Sequence, residues 1–336
     1  MLKIALAGFS QGYYAVQYTR YLSRLKGIEV IGVCDLGMSE DYVRECAFVS
    51  AEDFAEELGC PLYHRYEEIL AEKPDALLIC SETKDHVRMA EMAVSLGIHT
   101  FVSKPLCFSY SQLGGLCGTK RADTRLLCGN PLKYEKGIVE FRERIKSGEI
   151  GNVYSIRMML NHRAMTAQEW ERDPAKSGGP FGTYGVYLFD LARWLTGQEI
   201  QELAAFGGNF ATPEIEAADT VKILGLQTDG SQCSLELYSG IQHEFPFVRI
   251  EAVGEKGTLV SNYDNYVFIE QTDKGAKLGC LRNSDMTAGE MEHFLDCILN
   301  DTEERCGLRD MIYVARCIDA VFQSMEQHAI VRMEGM

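Results

Sequence analysis

Residues 2–35 read LKIALAGFSQGYYAVQYTRYLSRLKGIEVIGVCD. Leu2 to Ala7 is an apolar run too short for a helix, and it stops at Gly8. Ala15, Tyr18, Leu22 and Leu25 then recur at spacings of three and four, and Glu29 to Cys34 is a second apolar run closed by Asp35. This succession predicts strand, helix, strand. Further on, Ala76 to Cys80 predicts a buried strand, residues 84–96 place Met89, Ala93 and Leu96 on one helical face, and Thr100 to Ser103 predicts a strand stopped by Pro105. Strands alternating with helices predict a parallel sheet with right-handed crossovers. Eighteen residues separate Asp35 from the helical run Phe54 to Leu58, where such units use about two to six. Something extra folds there, and a short helix is expected at Glu40 to Phe48.

From Gly129 the pattern changes. A helix is expected over Tyr134 to Lys146, then alternating strands at Val153 to Met159, Val221 to Leu226, Ser234 to Leu237 and Val248 to Val253. Gly254-Glu-Lys-Gly257 falls between two strands and predicts a hairpin turn. Two helical stretches, over 287–300 and 308–327, close the chain. The expected organisation is an α/β domain over 1–128 followed by an α+β domain with a largely antiparallel sheet over 129–336.

The 336 residues suit two domains, and 46% hydrophobic with 24% charged residues excludes disordered and collagen-like chains. Acidic residues outnumber basic ones 49 to 33, a net charge of −16, which argues against nucleic acid and anionic lipid as partners. Apolar runs fall far short of the roughly 18 residues of a membrane span, and Met1 to Ser10 lacks the flanks of a signal peptide, so a cytoplasmic protein is expected. Twelve cysteines are dispersed without a C-x-x-C pair, as buried small hydrophobes would be. The seven histidines show no H-x-x-x-H spacing, and no metal site is expected.

The turn Gly8-Phe9-Ser10-Gln11-Gly12-Tyr13 meets a dinucleotide fingerprint, G-x-G-x-x-G, at its first glycine only. Gly8 permits the tight turn, and the following helix can offer N–H groups to a pyrophosphate, whereas Ser10 and Tyr13 add side chains where close approach is wanted. Asp35, 22 residues past Tyr13, stands where an acid binds the ribose 2′-hydroxyl of NAD and repels the 2′-phosphate of NADP. NAD is therefore expected over NADP, unless the extra segment folds Arg44 back onto the ribose. An ordinary strand-to-helix turn is the plain alternative.

Three stretches together resemble the glucose-fructose oxidoreductase and inositol dehydrogenase (Gfo/Idh/MocA) family over nearly the whole chain. Ser81-Glu-Thr-Lys-Asp-His86-Val-Arg-Met-Ala90-Glu-Met-Ala93, running through Gly97-Ile-His99 to Ser103-Lys104-Pro105-Leu106, is similar to T-P-N-x-x-H-x-x-x-A-x-x-A…G-K-H…E-K-P-L. Trp170-Glu-Arg172-Asp-Pro and Ser177-Gly178-Gly179, followed by Gly185-Val-Tyr187-Leu-Phe-Asp190, resemble the second-domain signature G-G-G-x-L-x-D-x-G-x-H-x-x-D. The resemblance implies an N-terminal Rossmann-type NAD(P) domain, a C-terminal open and largely antiparallel sheet, a sugar or polyol substrate, and a homo-oligomer, dimer or tetramer. It implies cofactor contacts from Gly8, Ser10, Gln11, Gly12, Tyr13, Asp35, Ser81, Glu82, His86 and Lys104. Catalytic roles fall to Lys104, Tyr187 and Asp190, and substrate contacts to Lys104, Lys133, His162, Arg163, Trp170, Arg172, Thr183 and Tyr187. Ser103 stands where the family has glutamate, Thr183 where it has aspartate, and Tyr187 where it has histidine, a tyrosine shared with the glucose-fructose oxidoreductase branch.

Oxidising an alcohol sends a hydride to the nicotinamide while a base takes the hydroxyl proton. Tyr187 is the expected proton carrier. Poising a phenol of pKa about 10 near neutrality needs about 3–4 kcal/mol, and an ammonium about 4 Å away at an effective dielectric of ~20 supplies roughly 4 kcal/mol. Lys104 is the expected cation. With serine in place of the family glutamate, Lys104 itself is the alternative base. Each remaining residue also has a plain structural reading: Asp190 as an acid near a helix N-terminus, His86 as a core or surface histidine, Lys133 as a solvated lysine, and His162, Arg163, Trp170 and Arg172 as a sheet-edge pair and a packed aromatic. Two other classes of function stay open beside the oxidoreductase: a catalytically impaired nucleotide- or metabolite-binding protein of the same fold, and a scaffold whose turn is blocked by Tyr13.

Overall fold

The computed structural model describes residues 1–163, 168–241, 247–262, 267–280 and 285–333, with 267–269 and 277–280 described by their backbone alone. His243 lies outside them. The chain forms two compact units, Met1–Pro131 with Thr287–Met311, and Leu132–Met286 with Ile312–Met336.

The first unit runs β1 (Leu2–Ala7), α1 (Gly12–Ser23), β2 (Ile28–Cys34), α2 (Glu40–Ala47), α3 (Ala51–Leu58), β3 (Leu62–Tyr63), α4 (Tyr66–Ala71), β4 (Ala76–Ile79), α5 (Thr83–Ser95), β5 (His99–Val102), α6 (Leu116–Thr119) and β6 (Leu126–Cys128). All pairs in its sheet are parallel, in the order β3-β2-β1-β4-β5-β6. That is the doubly wound Rossmann order, which reverses between β1 and β4 and opens a ligand crevice at the carboxyl ends of those strands. The expected extra helix is α2. Ser39 caps it by accepting from Tyr42 N–H, and Ser50 caps α3 by accepting from Asp53 N–H. Two N-caps eleven residues apart split the insertion into two helices.

The second unit runs α7 (Lys136–Lys146), β7 (Val153–Arg163), α8 (Glu169–Arg172), α9 (Pro174–Ser177), α10 (Gly179–Thr196), β8 (Ile200–Gly208), β9 (Thr220–Gln227), β10 (Gln232–Ile241), β11 (Val248–Gly254), β12 (Gly257–Asn262), β13 (Val267–Thr272) and β14 (Gly275–Cys280). The chain ends with α11 (Met286–Asn300), α12 (Leu308–Gln327) and β15 (Val331–Arg332). The nine strands lie in the order β14-β13-β12-β11-β7-β10-β9-β8-β15. Neighbours are antiparallel except β7 and β10, which pair in parallel, so the sheet is mixed. Ile156, Met158 and Leu160 of β7 and Cys233, Leu235 and Leu237 of β10 bury one face, and α10 packs against it. Their period of two is what a sheet covered on one side requires. Gly254-Glu-Lys-Gly257 is the β11–β12 turn.

Helix α11, near the end of the chain, returns to the first unit. Met291, Phe294, Leu295 and Cys297 join Leu6, Leu78, Phe101 and Leu127 in its core. Each large side chain so buried stabilises by about 1.5–3 kcal/mol. The apolar stripe of α11 is readable in the sequence, but which core receives it is not.

Candidate active site

The crevice of the first unit is built from the residues that follow β1, β2 and β4. Gly8 has φ +93°, and a Cβ there would lie 2.8 Å from Ser81 Cα and N. Only glycine fits this turn as it stands. Gly8 N–H donates to Cys34 O at 2.8 Å and Gln11 N–H to Cys80 O at 3.0 Å, which ties the turn to both neighbouring strands. A Cβ on Gly12 would fall 2.3 Å from Cys46 O and 2.4 Å from Ala47 Cα. The close-packing glycine of this turn is thus Gly12, and what packs against it is the end of α2. Ser10 is buried, and the Tyr42 hydroxyl from α2 bridges Ser10 Oγ at 3.1 Å and Glu82 Oε1 at 3.3 Å. Tyr13 is 59% exposed and meets Tyr14 edge-on. The tyrosine over the turn is therefore Tyr42, not Tyr13.

Asp35 ends β2 with its carboxylate largely buried, accepting from Gly37 N–H at 2.8 Å and lying 2.9 Å from His64 Nδ1. A hollow of about 240 Å³ adjoins it, lined by Met38, Val43, Leu62 and His64 among others. Arg44 does not reach Asp35; it pairs with Glu40 at 2.7 Å and Asp53 at 3.3 Å on the surface.

Lys104 follows β5 and is nearly buried. Ser103 beside it spends its hydroxyl on Ile79 O at 3.1 Å. His86 is wholly buried, with Nδ1 2.7 Å from Pro105 O and Nε2 3.0 Å from Ser81 O. It ties the segment carrying Lys104 to the segment after β4. Burial lowers its pKa, while the two carbonyls work in the other direction. Beneath Gly129, the buried carboxyl of Glu290 accepts from the Tyr18 hydroxyl. Desolvation pushes Glu290 up to about 8, against the opposing pull of Tyr18 and the Asn130 backbone.

In the second unit, Thr183, Tyr187 and Asp190 lie four and three residues apart on α10 and share one face. All three are buried. Thr183 Oγ1 donates to Ser177 O at 3.2 Å and so holds the start of the helix. Asp190 stands eleven residues after the first residue of α10, beyond the reach of the N-terminal dipole. Its partner is Lys133, whose Nζ donates to Asp190 Oδ1 at 2.6 Å; with 1% and 3% side-chain exposure this is a buried ion pair, and Lys133 is not solvated. Lys133 also lies 5.9 Å from the centre of the Trp194 ring. His162 stacks on Tyr184 with ring centres 3.8 Å apart. Arg163 and Arg172 are exposed. Trp170 is buried and donates to Gln168 Oε1 at 3.1 Å.

Residues 2–127 match the oxidoreductase family with an NAD-binding Rossmann fold, and residues 138–260 match the GFO/IDH/MocA C-terminal domain. The chain belongs to the Gfo/Idh/MocA oxidoreductase family. A myo-inositol 2-dehydrogenase of Thermotoga maritima is 26% identical over 235 residues, 67% of this chain and 69% of that protein. The scyllo-inositol 2-dehydrogenase (NAD(+)) of Bacillus subtilis is 24% identical over 269 residues, 74% of this chain and 75% of that one. An oxidoreductase from Agrobacterium radiobacter, solved in complex with NAD+, L-tartaric acid and magnesium, superimposes with a TM-score of 0.85 at 18% identity, covering 98% of each chain.

As a Gfo/Idh/MocA member the chain has an NAD-binding Rossmann domain, and its residues fit that group. Gly8 lets the turn run tight against the Ser81 backbone, α1 presents its N-terminus at that turn, and the Asp35 carboxylate stands just past β2, where an acid of this fold meets a ribose. Among the described residues no cluster of histidine, cysteine or acidic side chains is arranged to hold a metal, and no helix is long and apolar enough to cross a membrane. The sequence reading missed Tyr42, Tyr184 and Glu290. Tyr42 lies in an insertion without a motif, and Glu290 is one acid among 49. Only the stretch Gly179 to Tyr184 carried a signal for Tyr184, through its proximity to the second-domain signature.

Proposed function

We propose that this chain is an NAD(H)-dependent dehydrogenase acting on a CH–OH carbon of a sugar, polyol or sugar derivative, with Tyr187 and Lys104 handling the hydroxyl proton. Bound NAD supplies the hydride acceptor. The observation that carries the reading is the buried polar face of α10, where Tyr187 stands one turn from Asp190 and Asp190 is fixed by Lys133. Burying an ion pair costs desolvation that apolar residues would avoid, so its presence beside Tyr187 fits a site that must orient a polar substrate. In this proposal Tyr187 takes the substrate proton, the ammonium of Lys104 favours the phenolate, and Asp190 orients the reacting hydroxyl. His86 holds Lys104 in place through Pro105. Residues 1–128, with α11 completing their core, serve the cofactor, and the rest of 129–336 serves the substrate and a homo-oligomeric contact. The names of the inositol dehydrogenases among its relatives support a cyclic polyol as substrate. Eleven described cysteines carry free thiols, which supports a reducing, cytoplasmic setting.

The test is NADH formation from NAD across a panel of inositols and aldoses. Tyr187→Phe is expected to lower kcat by roughly 10²–10⁴, and full turnover by that variant refutes the assignment. A second reading, a nucleotide-binding protein without turnover, is favoured by Thr183, whose hydroxyl is spent on Ser177 where relatives place an aspartate. NADH binding without reaction on any member of the panel would select it.

A further inference from the structure

The insertion between β2 and α3 ends with α2 packed on the turn after β1, and two independent contacts fix it there. The Cys46 carbonyl and Ala47 lie so close to Gly12 that no Cβ fits between them. The Tyr42 hydroxyl bridges Ser10 and Glu82, the residues that follow β1 and β4 on the two sides of the crevice. Ser10, Ser81, Glu82 and Thr83 are all 4% exposed or less. The carbonyl end of α2 meets the amide end of α1, so one helix terminus offers the other the partial negative charge that a phosphate would bring. A dinucleotide phosphate that reaches the Gly8 turn at this switch point has to enter the gap that one tyrosine oxygen now spans.

We propose that α2 is a latch on the dinucleotide cradle, with the Tyr42 hydroxyl holding the place between Ser10 and Glu82 that a cofactor phosphate takes, so that NAD(H) binds only when α2 lifts. The proposal rests on the NAD-dependent reading above. It makes Tyr42 a gating residue that no position of the family fingerprint supplies. Apparent affinity then equals the affinity of the open cradle scaled by the fraction of molecules with α2 lifted. The insertion tunes cofactor affinity without touching Asp35 or Gly8.

The experiment is calorimetric titration of the full chain with NADH, stopped-flow association, and amide hydrogen exchange over residues 40–48. Tyr42→Phe removes the bridging hydroxyl from the closed form alone and is expected to tighten NADH by about five- to tenfold, the worth of an ordinary hydrogen bond. It is also expected to speed association. In the unchanged protein, NADH is expected to accelerate exchange across residues 40–48. Equal or weaker binding by Tyr42→Phe, or slower exchange at α2 on adding NADH, overturns the latch while leaving the dehydrogenase reading in place. No NADH binding by either protein overturns the reading itself, and the latch with it.

Discussion

Lys133 Nζ and Asp190 Oδ1, 57 residues apart in the chain, lie 2.6 Å apart with almost no solvent on either side chain. The pair joins the segment before α7 to the middle of α10, the helix that carries Thr183 and Tyr187. Both charges are shut away from solvent, where an ion pair is costly to break. Removing one partner by Lys133→Met is expected to cost about 3–5 kcal/mol of unfolding free energy, because it takes the cation away from a buried carboxylate. The double variant Lys133→Met with Asp190→Leu is expected to recover most of that loss. Urea unfolding of the three proteins measures both; a single variant as stable as the parent contradicts the pairing.

Gly8→Ala tests the turn. The substitution adds a Cβ at a position with φ +93°, 2.8 Å from the Ser81 backbone. Strain of about 1–3 kcal/mol is expected, together with a loss of NADH affinity larger than the loss of stability would explain. Thermal unfolding and NADH titration of the same preparation separate the two effects.

Glu290 makes stability depend on pH. Its folded-state pKa is raised from 4.5 to about 8, chiefly by desolvation, so between those values the folded chain holds a proton that the unfolded chain has lost. Its contribution is then fully present below 4.5, and it is lost as pH rises toward 8, by up to about 5 kcal/mol. Glu290→Gln keeps an acceptor for Tyr18 and removes the titration. The variant is expected to gain stability over the parent at pH 8 and not at pH 4.5. Parallel unfolding curves at the two values decide it; an equal difference at both means that Glu290 does not titrate in this range.

Cofactor preference should follow Asp35. An acid at this place in the fold is expected to receive a ribose 2′-hydroxyl and repel a 2′-phosphate, and Arg44 is paired with Glu40 and Asp53 instead of neutralising it. NADH is expected to bind more tightly than NADPH, and Asp35→Ala to narrow the gap mainly by weakening NADH. Dissociation constants for both cofactors check it, and a lower constant for NADPH in the parent protein reverses the assignment.

The local patterns were legible where one element faces one core. β1 runs over the expected Leu2–Ala7, α2 over nearly the expected Glu40 to Phe48, and α12 over the expected 308–327. The extent of helix α10 was not legible: Gly179, Gly182, Gly185, three β-branched residues and several aromatics lower its propensity. Burial on nearly every side also erases the polar stripe that marks an amphipathic helix. The parallel pairing of β7 with β10 was hidden for a related reason, since alternation of side chains shows that a strand has one buried face but not which neighbour it takes.

The sequence by itself determined the strand and helix succession, the need for glycine at position 8, the acid at the end of β2, and the places of Lys104, Tyr187 and Asp190 along the chain. These follow from periodicity and from backbone conformations that few residues can adopt. Only the tertiary structure decided that Lys133 belongs to Asp190, that α11 completes the first core, that Trp170 is packed inside, and that Tyr42 closes on Ser10 and Glu82. The contacts of Lys133, α11 and Tyr42 join groups far apart in sequence. Such pairings are set by which surfaces meet when the chain collapses, and a hydrogen bond or ion pair across that distance leaves no repeat in the amino-acid order.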